Sequence, residues 1–511
     1  MPTPNEKLAN ALEALKTVQA TGRMAIRSKD LTRTVRERLL KHGFLQEVIK
    51  GWYIPACPGA GPDESTAWYT SFWDFCRDYL TERFGTEWSL TPEQSLVLQA
   101  GNTSVPRQLL VRARGAHNQV TNFIHGTSLF EGAHTLPEPD DVVQLTGLRL
   151  FKPEAALIAA QPSFFEHYPT EARTILSTQR DASALLARLL SGGHTAIAGR
   201  LAGAFRNIGR DREADDILSG MRAADYNARE TDPFKDQVAR VPYRRDASPY
   251  IQRIRLLWQK MRADIPGRFP APPAKITDID AYLRQVDDIY VTDAYHSLSI
   301  EGYQVSTGSI ERVRSGNWDP EQDRADRDLE NGLAARGYWL AFQAVRASVR
   351  RVLDGENPGE VADRDHSAWY RELFAPKVTA GILKPENLAG YRNAAVYLRG
   401  SRHVPPNADA VRDAMPAFFD LLAEEADPAV RIVLGHFIYV YIHPYMDGNG
   451  RTGRFLMNVM MAAAGYPWTV IPVQSRTEYM AALEAASVDQ NIVPFTEFLA
   501  SQIGRSVPKA D

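Results

Sequence analysis

Cysteine is scarce in this sequence. Cys57 and Cys76 are the only two among 511 residues, which is too few for a disulfide framework or a structural zinc site. Long apolar runs are also missing, because no stretch approaches the roughly 18 consecutive apolar residues of a membrane-spanning helix. The polar start at Met1–Lys7 does not resemble a signal peptide. These absences predict a cytoplasmic protein that does not enter a membrane.

An excess of charge of either sign is absent as well. The 59 basic and 62 acidic residues give a net charge of −3, which argues against coating nucleic acid by bulk charge but allows a local basic patch. Hydrophobic residues make up 44% of the chain and charged residues 24%, as in ordinary soluble proteins. A chain of this length is expected to form about two to four domains.

Chemistry-bearing side chains are concentrated between residues 443 and 454. This stretch reads His-Pro-Tyr-Met-Asp-Gly-Asn-Gly-Arg-Thr-Gly-Arg and lies between two apolar runs, 430–442 and 455–464. Pro444 ends the first run as a helix, because proline has no amide hydrogen to donate, and the closely spaced glycines predict a tight loop before a second helix. Successive backbone N–H groups in such a loop, with the positive end of the next helix, form a binding site for an anion.

The side chains of this loop indicate a phosphate-transfer site. Arg451 and Arg454 stand together at the start of the second helix, where two guanidiniums suit bidentate phosphate binding. Asp447 supplies a carboxylate suited to hold Mg²⁺ that bridges phosphates, and His443 is a candidate general base at neutral pH. A zinc site made from His436 and His443 is disfavoured, because their spacing matches no common zinc pattern.

The loop resembles the signature of the Fic family (filamentation induced by cAMP), His-Pro-Phe-x-Asp-Gly-Asn-Gly-Arg-x-x-Arg, with Tyr445 in place of the usual Phe. The resemblance covers about residues 276–500 and implies a mainly α-helical catalytic core. It further implies transfer of AMP from ATP to a Ser, Thr or Tyr hydroxyl of a protein, this protein itself included, with release of pyrophosphate. A related branch of the family phosphorylates its targets, but its loop carries Lys where this chain has Gly450.

The same resemblance implies a role for each position of the loop. His443 takes the proton from the target hydroxyl, and Asp447 holds Mg²⁺ on the α- and β-phosphates of ATP. The expected cosubstrate is therefore ATP and the expected cofactor is Mg²⁺. The remaining positions bind the phosphates through backbone, amide and guanidinium donors: Gly448, Asn449, Gly450, Arg451 and Arg454.

A second stretch with a family counterpart lies upstream of the loop. Ser297-Leu-Ser-Ile-Glu301-Gly302 resembles the Ser/Thr-x-x-x-Glu-Gly/Asn motif of the inhibitory helix that many Fic proteins carry. The resemblance implies that Glu301 pairs with Arg454 and occupies the place that the γ-phosphate of ATP needs. We therefore expect an autoinhibited enzyme. Removal of AMP from a target, with Glu301 orienting a water molecule, is an alternative chemistry.

A short hairpin is predicted at residues 390–405, because apolar and polar residues alternate over 396–399 before a Gly400-Ser401 turn. The stretch resembles the Fic flap, which holds a segment of the target protein by backbone pairing. Arg392 also matches the family pattern. The resemblance implies these docking residues: Gly400, Ser401, Arg402, His403 and Val404.

The N-terminal sequence predicts two helices, 5–20 and 29–42, followed by a hairpin around Lys50-Gly51. This order resembles the winged helix-turn-helix domains of abortive-infection-type antitoxins and related regulators. Basic residues on the second helix motivate a hypothesis of a different class, in which DNA binds through residues 28–54 and the Fic domain senses nucleotide without significant transfer. A structural role or the docking of a protein partner is the alternative for this domain.

The predicted fold class is mainly α, with some strands in the first half of the chain. Aromatic residues at 68–79 predict a helix that belongs to a core, and strands are expected at 108–112 and 142–145. Proline-rich and charged stretches predict linkers at 231–247 and 266–273. The expected segments are a winged helix-turn-helix-like domain (1–60), a mixed α/β region (61–150), a helical region (151–230), a linker with an entry helix (231–275) and the Fic catalytic domain with its inhibitory helix (276–505).

Overall fold

The computed structural model describes residues 3–59, 64–235, 248–318 and 329–504. The chain divides into two compact units, Met1–Pro249 with Tyr397–Val404, and Tyr250–Val396 with Pro405–Asp511. We call them the N-terminal unit and the C-terminal unit. The linker predicted at 231–247 lies largely outside the described residues. Within the described ranges, no helix combines the length and apolar character that crossing a membrane requires.

The N-terminal unit begins with two helices and a small antiparallel sheet of strand order β1-β3-β2. The predicted order of two helices followed by a hairpin is confirmed, and Gly51 turns the hairpin with a φ of 82°. On the second helix, Arg33 forms an ion pair with Glu37 at 2.7 Å, and Arg36 donates to the carbonyl of Ser28 at 2.7 Å. The elements are α1 (Pro4–Gln19), β1 (Ile26–Arg27), α2 (Arg33–Lys41), β2 (Leu45–Ile49) and β3 (Trp52–Pro55).

The next part of this unit packs a long helix and a short one against two sheets. One sheet has the order β4-β5-β7-β6 and the other pairs β8 with β9. Trp68, Phe72 and Phe75 of the long helix are fully buried, which confirms that its aromatic residues belong to a core. The elements are α3 (Thr66–Phe84), β4 (Trp88–Leu90), α4 (Pro92–Gln99), β5 (Gln108–Ala113), β6 (Gln119–Asn122), β7 (Ser128–Gly132), β8 (Val142–Leu145) and β9 (Leu148–Phe151).

A run of helices completes the N-terminal unit. Gly199 and Gly203 allow the backbone at Arg229 and Thr231 to pack closely against their helix. A Cβ on Gly199 would collide with the backbone of Arg229, and a Cβ on Gly203 with that of Thr231. The buried side chains of these helices form a core of their own together with residues of α4 and β9. The helices are α5 (Pro153–Ala159), α6 (Ser163–His167), α7 (Pro169–Thr178), α8 (Ser183–Gly192), α9 (Thr195–Asn207) and α10 (Asp211–Ala223).

The regular secondary structure among the described residues of the C-terminal unit is all helical, with no strand. The mainly α fold class is therefore confirmed. Every residue from Ile432 to Tyr439 is buried, as expected of a helix that is apolar on nearly every face. The helices are α11 (Pro249–Arg262), α12 (Ile279–Ile300), α13 (Thr307–Arg314), α14 (Leu329–Leu353), α15 (Pro358–Thr379), α16 (Ala408–Glu424), α17 (Pro428–Ile442), α18 (Asn449–Ala463), α19 (Arg476–Val488) and α20 (Val493–Gln502).

The hairpin predicted at 390–405 is wrong. The structure describes all of these residues and forms no strand among them. The turn itself is present, with Gly400 at a φ of 71° and the N–H of Ser401 donating to the carbonyl of Leu398 at 3.2 Å. An alternating sequence becomes a strand only where a partner edge continues the pairing, and the backbone groups after the turn bond elsewhere in the N-terminal unit.

Candidate active site

The loop between α17 and α18 depends on two left-handed residues. His443 ends α17 with φ 54° and ψ 64°, and Gly448 precedes α18 with φ 79°. Gly448 is needed for space as well as for conformation, because a Cβ there would lie 2.8 Å from the ring of Phe374. The chain therefore reverses sharply, and the first N–H groups of α18, which have no intrahelical acceptors, point out of its N-terminus.

Asn449 closes this loop from inside. Its Oδ1 accepts from the N–H of Tyr445 at 2.9 Å, and its Nδ2 donates to the carbonyl of Tyr445 at 2.9 Å. The side chain is buried. The side chain therefore braces the loop with its oxygen and one N–H of its amide. Donation from this amide to phosphate stays a prediction, and the backbone N–H of Asn449 lies at the helix start.

His443 is held as a neutral base. Its Nδ1 lies 3.1 Å from the carbonyl oxygen of Val440, and because a carbonyl only accepts, Nδ1 carries the proton and Nε2 keeps its lone pair. Burial lowers the pKa of His443 to about 4. The imidazole is therefore unprotonated at neutral pH and ready to accept a proton at Nε2.

Arg392 fixes the backbone on which His443 sits. Its Nε donates to the carbonyl of His443 at 2.7 Å, and its Nη2 donates to the carbonyl of Ile442 at 3.4 Å. Carbonyls at a helix C-terminus accept no hydrogen bond from within the helix. The buried guanidinium of Arg392 donates to two of them here. Arg392 is a positioning residue whose role the sequence pattern did not reveal, because its partners are main-chain groups of a distant segment.

The predicted inhibitory motif converges on Arg454. Glu301 Oε1 lies 2.7 Å from Arg454 Nη2, while Arg454 Nε donates to Ser297 Oγ at 2.9 Å. Gly302 carries the chain away from the end of α12 with a φ of 93°. Burial acts to lower the pKa of Arg454, but the Glu301 charge and hydrogen bond raise it above its ordinary value. The motif and the loop therefore form one charged cluster in the C-terminal unit.

Gly450 leaves room for this ion pair. A Cβ at this position would collide with Glu301 Oε1 and would lie 3.2 Å from Arg454 Nη1. A lysine at residue 450, as in the phosphorylating branch of the resembled family, is therefore incompatible with Glu301 as it lies here.

Arg451 is the second buried guanidinium of the loop. It lies between two aromatic rings, with its Cζ 5.3 Å from the ring centre of Tyr303 and 5.1 Å from that of Phe374. Arg451 Nε and Arg454 Nη1 are both buried without a hydrogen bond to any residue that the structure describes. Buried donors of a charged group are costly when they lack an acceptor, so these two atoms indicate a place for an anion.

Asp447 alone supplies too few ligands for Mg²⁺, so it fits this ion only together with phosphate oxygens. Its side chain is 62% exposed, and its contact with Arg451 is a long one of 3.3 Å. The described residues contain no group of three or more His, Cys, Asp or Glu side chains suited to hold a metal ion. One accessible carboxylate with water and phosphate oxygens is a normal set of ligands for Mg²⁺.

His436 and Tyr445 have structural roles. His436 Nδ1 lies 2.8 Å from the carbonyl of Gly453, and its Nε2 lies 2.7 Å from the hydroxyl of Tyr479, so both ring nitrogens serve to join three helices. Tyr445 stacks on Tyr370 with ring centres 3.8 Å apart. The hydroxyl of Tyr445 is buried without a partner among the described residues.

The predicted docking residues and this loop belong to different units. All of residues 400–404 belong to the N-terminal unit, whereas the loop and the inhibitory motif belong to the C-terminal unit. No sequence signal announced this division, since Val396 and Pro405 on either side are members of the C-terminal unit.

Comparisons with known proteins find one matching family model and several similar curated proteins. Residues 362–461 match the model of the Fic/DOC family. The chain is 32% identical over 227 residues to the protein adenylyltransferase Fic of Drosophila willistoni, covering 43% of this chain and 41% of that relative. It is 27% identical over 234 residues to the protein adenylyltransferase fic-1 of Caenorhabditis elegans, covering 45% of this chain and 42% of that relative.

A solved structure described as Fic-1 (aa134 - 508) from C. elegans also matches. The identity is 20% and the TM-score is 0.36, and the match covers 62% of this chain and 88% of that one. Measured against the curated relatives, the chain spans less than half of their length.

Proposed function

We propose that this chain, which carries a Fic/DOC domain at residues 362–461, is a protein adenylyltransferase that transfers AMP from ATP to a hydroxyl group of a protein. The main support is the pair of buried guanidiniums with unused donors, Arg451 Nε and Arg454 Nη1. They lie on the same loop as His443, whose pKa of about 4 keeps it neutral. An anion site and a ready base on one rigid loop suit phosphoryl chemistry.

In the proposed reaction the loop aligns the reacting atoms. The backbone N–H groups at the start of α18 and the two arginines bind the phosphates of ATP. His443 Nε2 takes the proton of the target hydroxyl as its oxygen bonds to the α-phosphorus. The bond from that phosphorus to the bridging oxygen breaks at the same time, and pyrophosphate leaves. Catalysis by this arrangement is mainly positioning and electrostatic stabilisation.

Asp447 would hold Mg²⁺ together with the phosphates of ATP. The ion supplies positive charge that neutralises the phosphate oxygens during transfer. Moving Asp447 from its 3.3 Å contact with Arg451 to a metal is feasible because the side chain is largely exposed.

The resting state that we propose is autoinhibited. Glu301 holds Arg454 in an ion pair, so the γ-phosphate of ATP has to compete for the same guanidinium. Without that contact the triphosphate is bound out of line with His443, and a misplacement of about 1 Å is enough to cost on the order of 10² in rate. A water oriented by Glu301 for removing AMP from a target is a second use of the same carboxylate.

Incubating the purified chain with α-labelled and γ-labelled ATP in parallel tests the reaction class. Protein labelled from the α position only would support AMP transfer. Label from the γ position would instead mean phosphorylation, and no label from either position, in the parent and in Glu301→Gly, would contradict transferase activity.

A further inference from the structure

Tyr338 of α14 joins two side chains of α12 that lie about one turn apart. Its hydroxyl is 2.6 Å from Asp293 Oδ2 and is also hydrogen-bonded to Ser297. Residues four apart on a helix project from the same side, so one hydroxyl reaches both. All three side chains are buried. The contact is therefore an internal one, shielded from solvent.

The donors and acceptors of this cluster fit only one direction. Arg454 Nε donates to Ser297 Oγ at 2.9 Å. A carboxylate can only accept, so the Tyr338 hydroxyl donates to Asp293. Burial and the neighbouring Asp293 raise the pKa of Tyr338 well above its ordinary value, which keeps that proton in place. The Ser297 hydroxyl then donates to the Tyr338 oxygen, which completes a chain from the guanidinium to the carboxylate. We call this chain, Arg454-Ser297-Tyr338-Asp293, the Asp293 relay.

The Asp293 relay acts on an atom of Arg454 that Glu301 does not use. Glu301 pairs with Nη2 at 2.7 Å, whereas the relay ends at Nε. The carbonyl of Ser297 also accepts from Nη2, at 3.0 Å, so the contacts made through Ser297 remain when Glu301 leaves. A guanidinium is planar and rigid, so holding Nε fixes the direction of its other N–H groups. The relay therefore sets where Arg454 points once its carboxylate partner has gone.

The ring that carries the central hydroxyl of the relay is itself fixed. The ring centre of Tyr338 lies 4.9 Å from that of Phe455, which is within the usual range for packed aromatic pairs. Phe455 follows Arg454 directly on α18. The helix that carries the arginine thus also positions the tyrosine, and replacing Tyr338 by phenylalanine removes the hydroxyl while keeping this packing.

We propose that Asp293 and Tyr338 are positioning residues for ATP. Acting through Ser297, they hold Arg454 in the orientation that binds the γ-phosphate. The proposal rests on the proposed function, because that function places the γ-phosphate at Arg454. Helix α12 then has two tasks, since it carries both the inhibitory Glu301 and the support for the arginine that Glu301 blocks. Releasing inhibition requires movement of the Glu301 side chain, which is 28% exposed, and not of the buried relay.

Calorimetry with ATP and with ADP tests the positioning role without a catalytic step. The background is the full-length chain with Glu301→Gly, which removes the competitor for Arg454, and His443→Ala, which prevents transfer. ADP lacks the γ-phosphate, so the ratio of the ADP to the ATP dissociation constant reports the Arg454 contact. Adding Tyr338→Phe breaks the relay and keeps the ring against Phe455. We expect ATP to bind about fivefold more weakly, as for one lost hydrogen bond, and ADP to bind unchanged.

Matched variants in the same background separate positioning from loss of stability. Tyr282→Phe makes the same change near the other end of α12, where the hydroxyl donates to the carbonyl of Tyr466 at 2.9 Å, and should leave the ratio at the background value. Asp293→Ala should lower ATP affinity as much as Tyr338→Phe does. Asp293→Asn still offers an oxygen to the Tyr338 hydroxyl, so it should restore most of the ATP affinity that alanine loses.

An unchanged ratio in Tyr338→Phe, an equal loss of ATP and ADP affinity, or a background that does not prefer ATP over ADP would overturn the proposal. Labelling of Glu301→Gly from α-labelled ATP, measured in parallel, tests the proposed function separately. AMP transfer with an unchanged ratio leaves that function standing and removes the positioning role. A ratio that falls in Tyr338→Phe without AMP transfer supports the positioning role and counts against the enzyme activity.

Discussion

Replacing Glu301 by glycine removes the carboxylate that holds Arg454 and adds no bulk. The structure places the two groups 2.7 Å apart, with the Arg454 side chain 5% and the Glu301 side chain 28% exposed. Ser297 Oγ and the carbonyl of Ser297 remain as acceptors for this guanidinium. The variant therefore keeps the arginine in place while freeing one N–H of Nη2 for a phosphate oxygen.

The size of the effect follows from the burial of the pair. A charge-assisted hydrogen bond at a largely desolvated site contributes about 2–4 kcal/mol, which corresponds to roughly 30- to 1000-fold in a competing equilibrium. Glu301 is partly exposed and so loses part of this energy to solvent. We expect automodification from α-labelled ATP to rise at least tenfold, toward the lower end of that range.

Two further variants sharpen the assay. Glu301→Asp keeps the charge on a shorter arm and is expected to give a smaller rise than Glu301→Gly. Glu330 lines the same cavity of about 420 Å³ as Glu301, but it pairs with Lys377 at 3.6 Å, so Glu330→Gly is a matched control that should leave labelling unchanged. Equal labelling by the parent and Glu301→Gly would refute autoinhibition while leaving the His443 chemistry intact.

The other predictions concern the loop and the N-terminal helices. His443→Ala should keep nucleotide binding but lower AMP transfer by on the order of 10²–10⁴. The parent rate should stay level from pH 7 to pH 5, because the His443 pKa lies near 4, whereas a decline centred near the ordinary value of about 6.5 would contradict the buried base. Asp447→Ala should abolish the Mg²⁺ dependence of ATP binding in calorimetry, and unchanged dependence would place the metal elsewhere. Tyr445→Phe removes a buried hydroxyl without a described partner, so the free energy of unfolding should rise by about 1 kcal/mol; a loss of similar size in denaturant titration would show that the hydroxyl is satisfied. Arg33→Ala and Arg36→Ala should not change retention of DNA at low salt, because both guanidiniums already have acceptors; a salt slope reduced by about one unit for each substitution would instead support DNA binding through residues 28–54.

The sequence predicts those features that depend on residues close together in the chain. The 443–454 loop is contiguous, and its helix ends depend on a proline, left-handed positions and apolar runs that can be read directly. The helices and hairpin at the N-terminus follow from the same kind of signal. The ion pair of Glu301 with Arg454 joins positions 153 residues apart, so only the family resemblance, not a periodic pattern, pointed to it.

What the sequence left open depends on contacts between distant main-chain groups. Arg392 donates to a carbonyl 51 residues away, and Thr103 donates to one 301 residues away. Backbone carbonyls are identical at every position, so residue identity cannot indicate which of them a guanidinium or hydroxyl will find. The alternating stretch 396–399 predicts a strand that does not form, since the pattern does not show whether a partner strand exists.

Glu301 of the predicted inhibitory motif and Tyr303 just after it contact the two arginines of the loop, and the two contacts differ in kind. In the proposed resting state Glu301 competes directly with phosphate for Arg454, because a carboxylate and a phosphate oxygen need the same donors. Tyr303 covers one face of Arg451 without using its N–H groups, and such cation–π contacts contribute about 0.5–2 kcal/mol. Phosphate can therefore reach Arg451 while Tyr303 stays in place, whereas at Arg454 Nη2 it has to displace Glu301. In the mechanism that we propose, charge competition at Arg454, rather than steric cover at Arg451, controls productive binding of ATP.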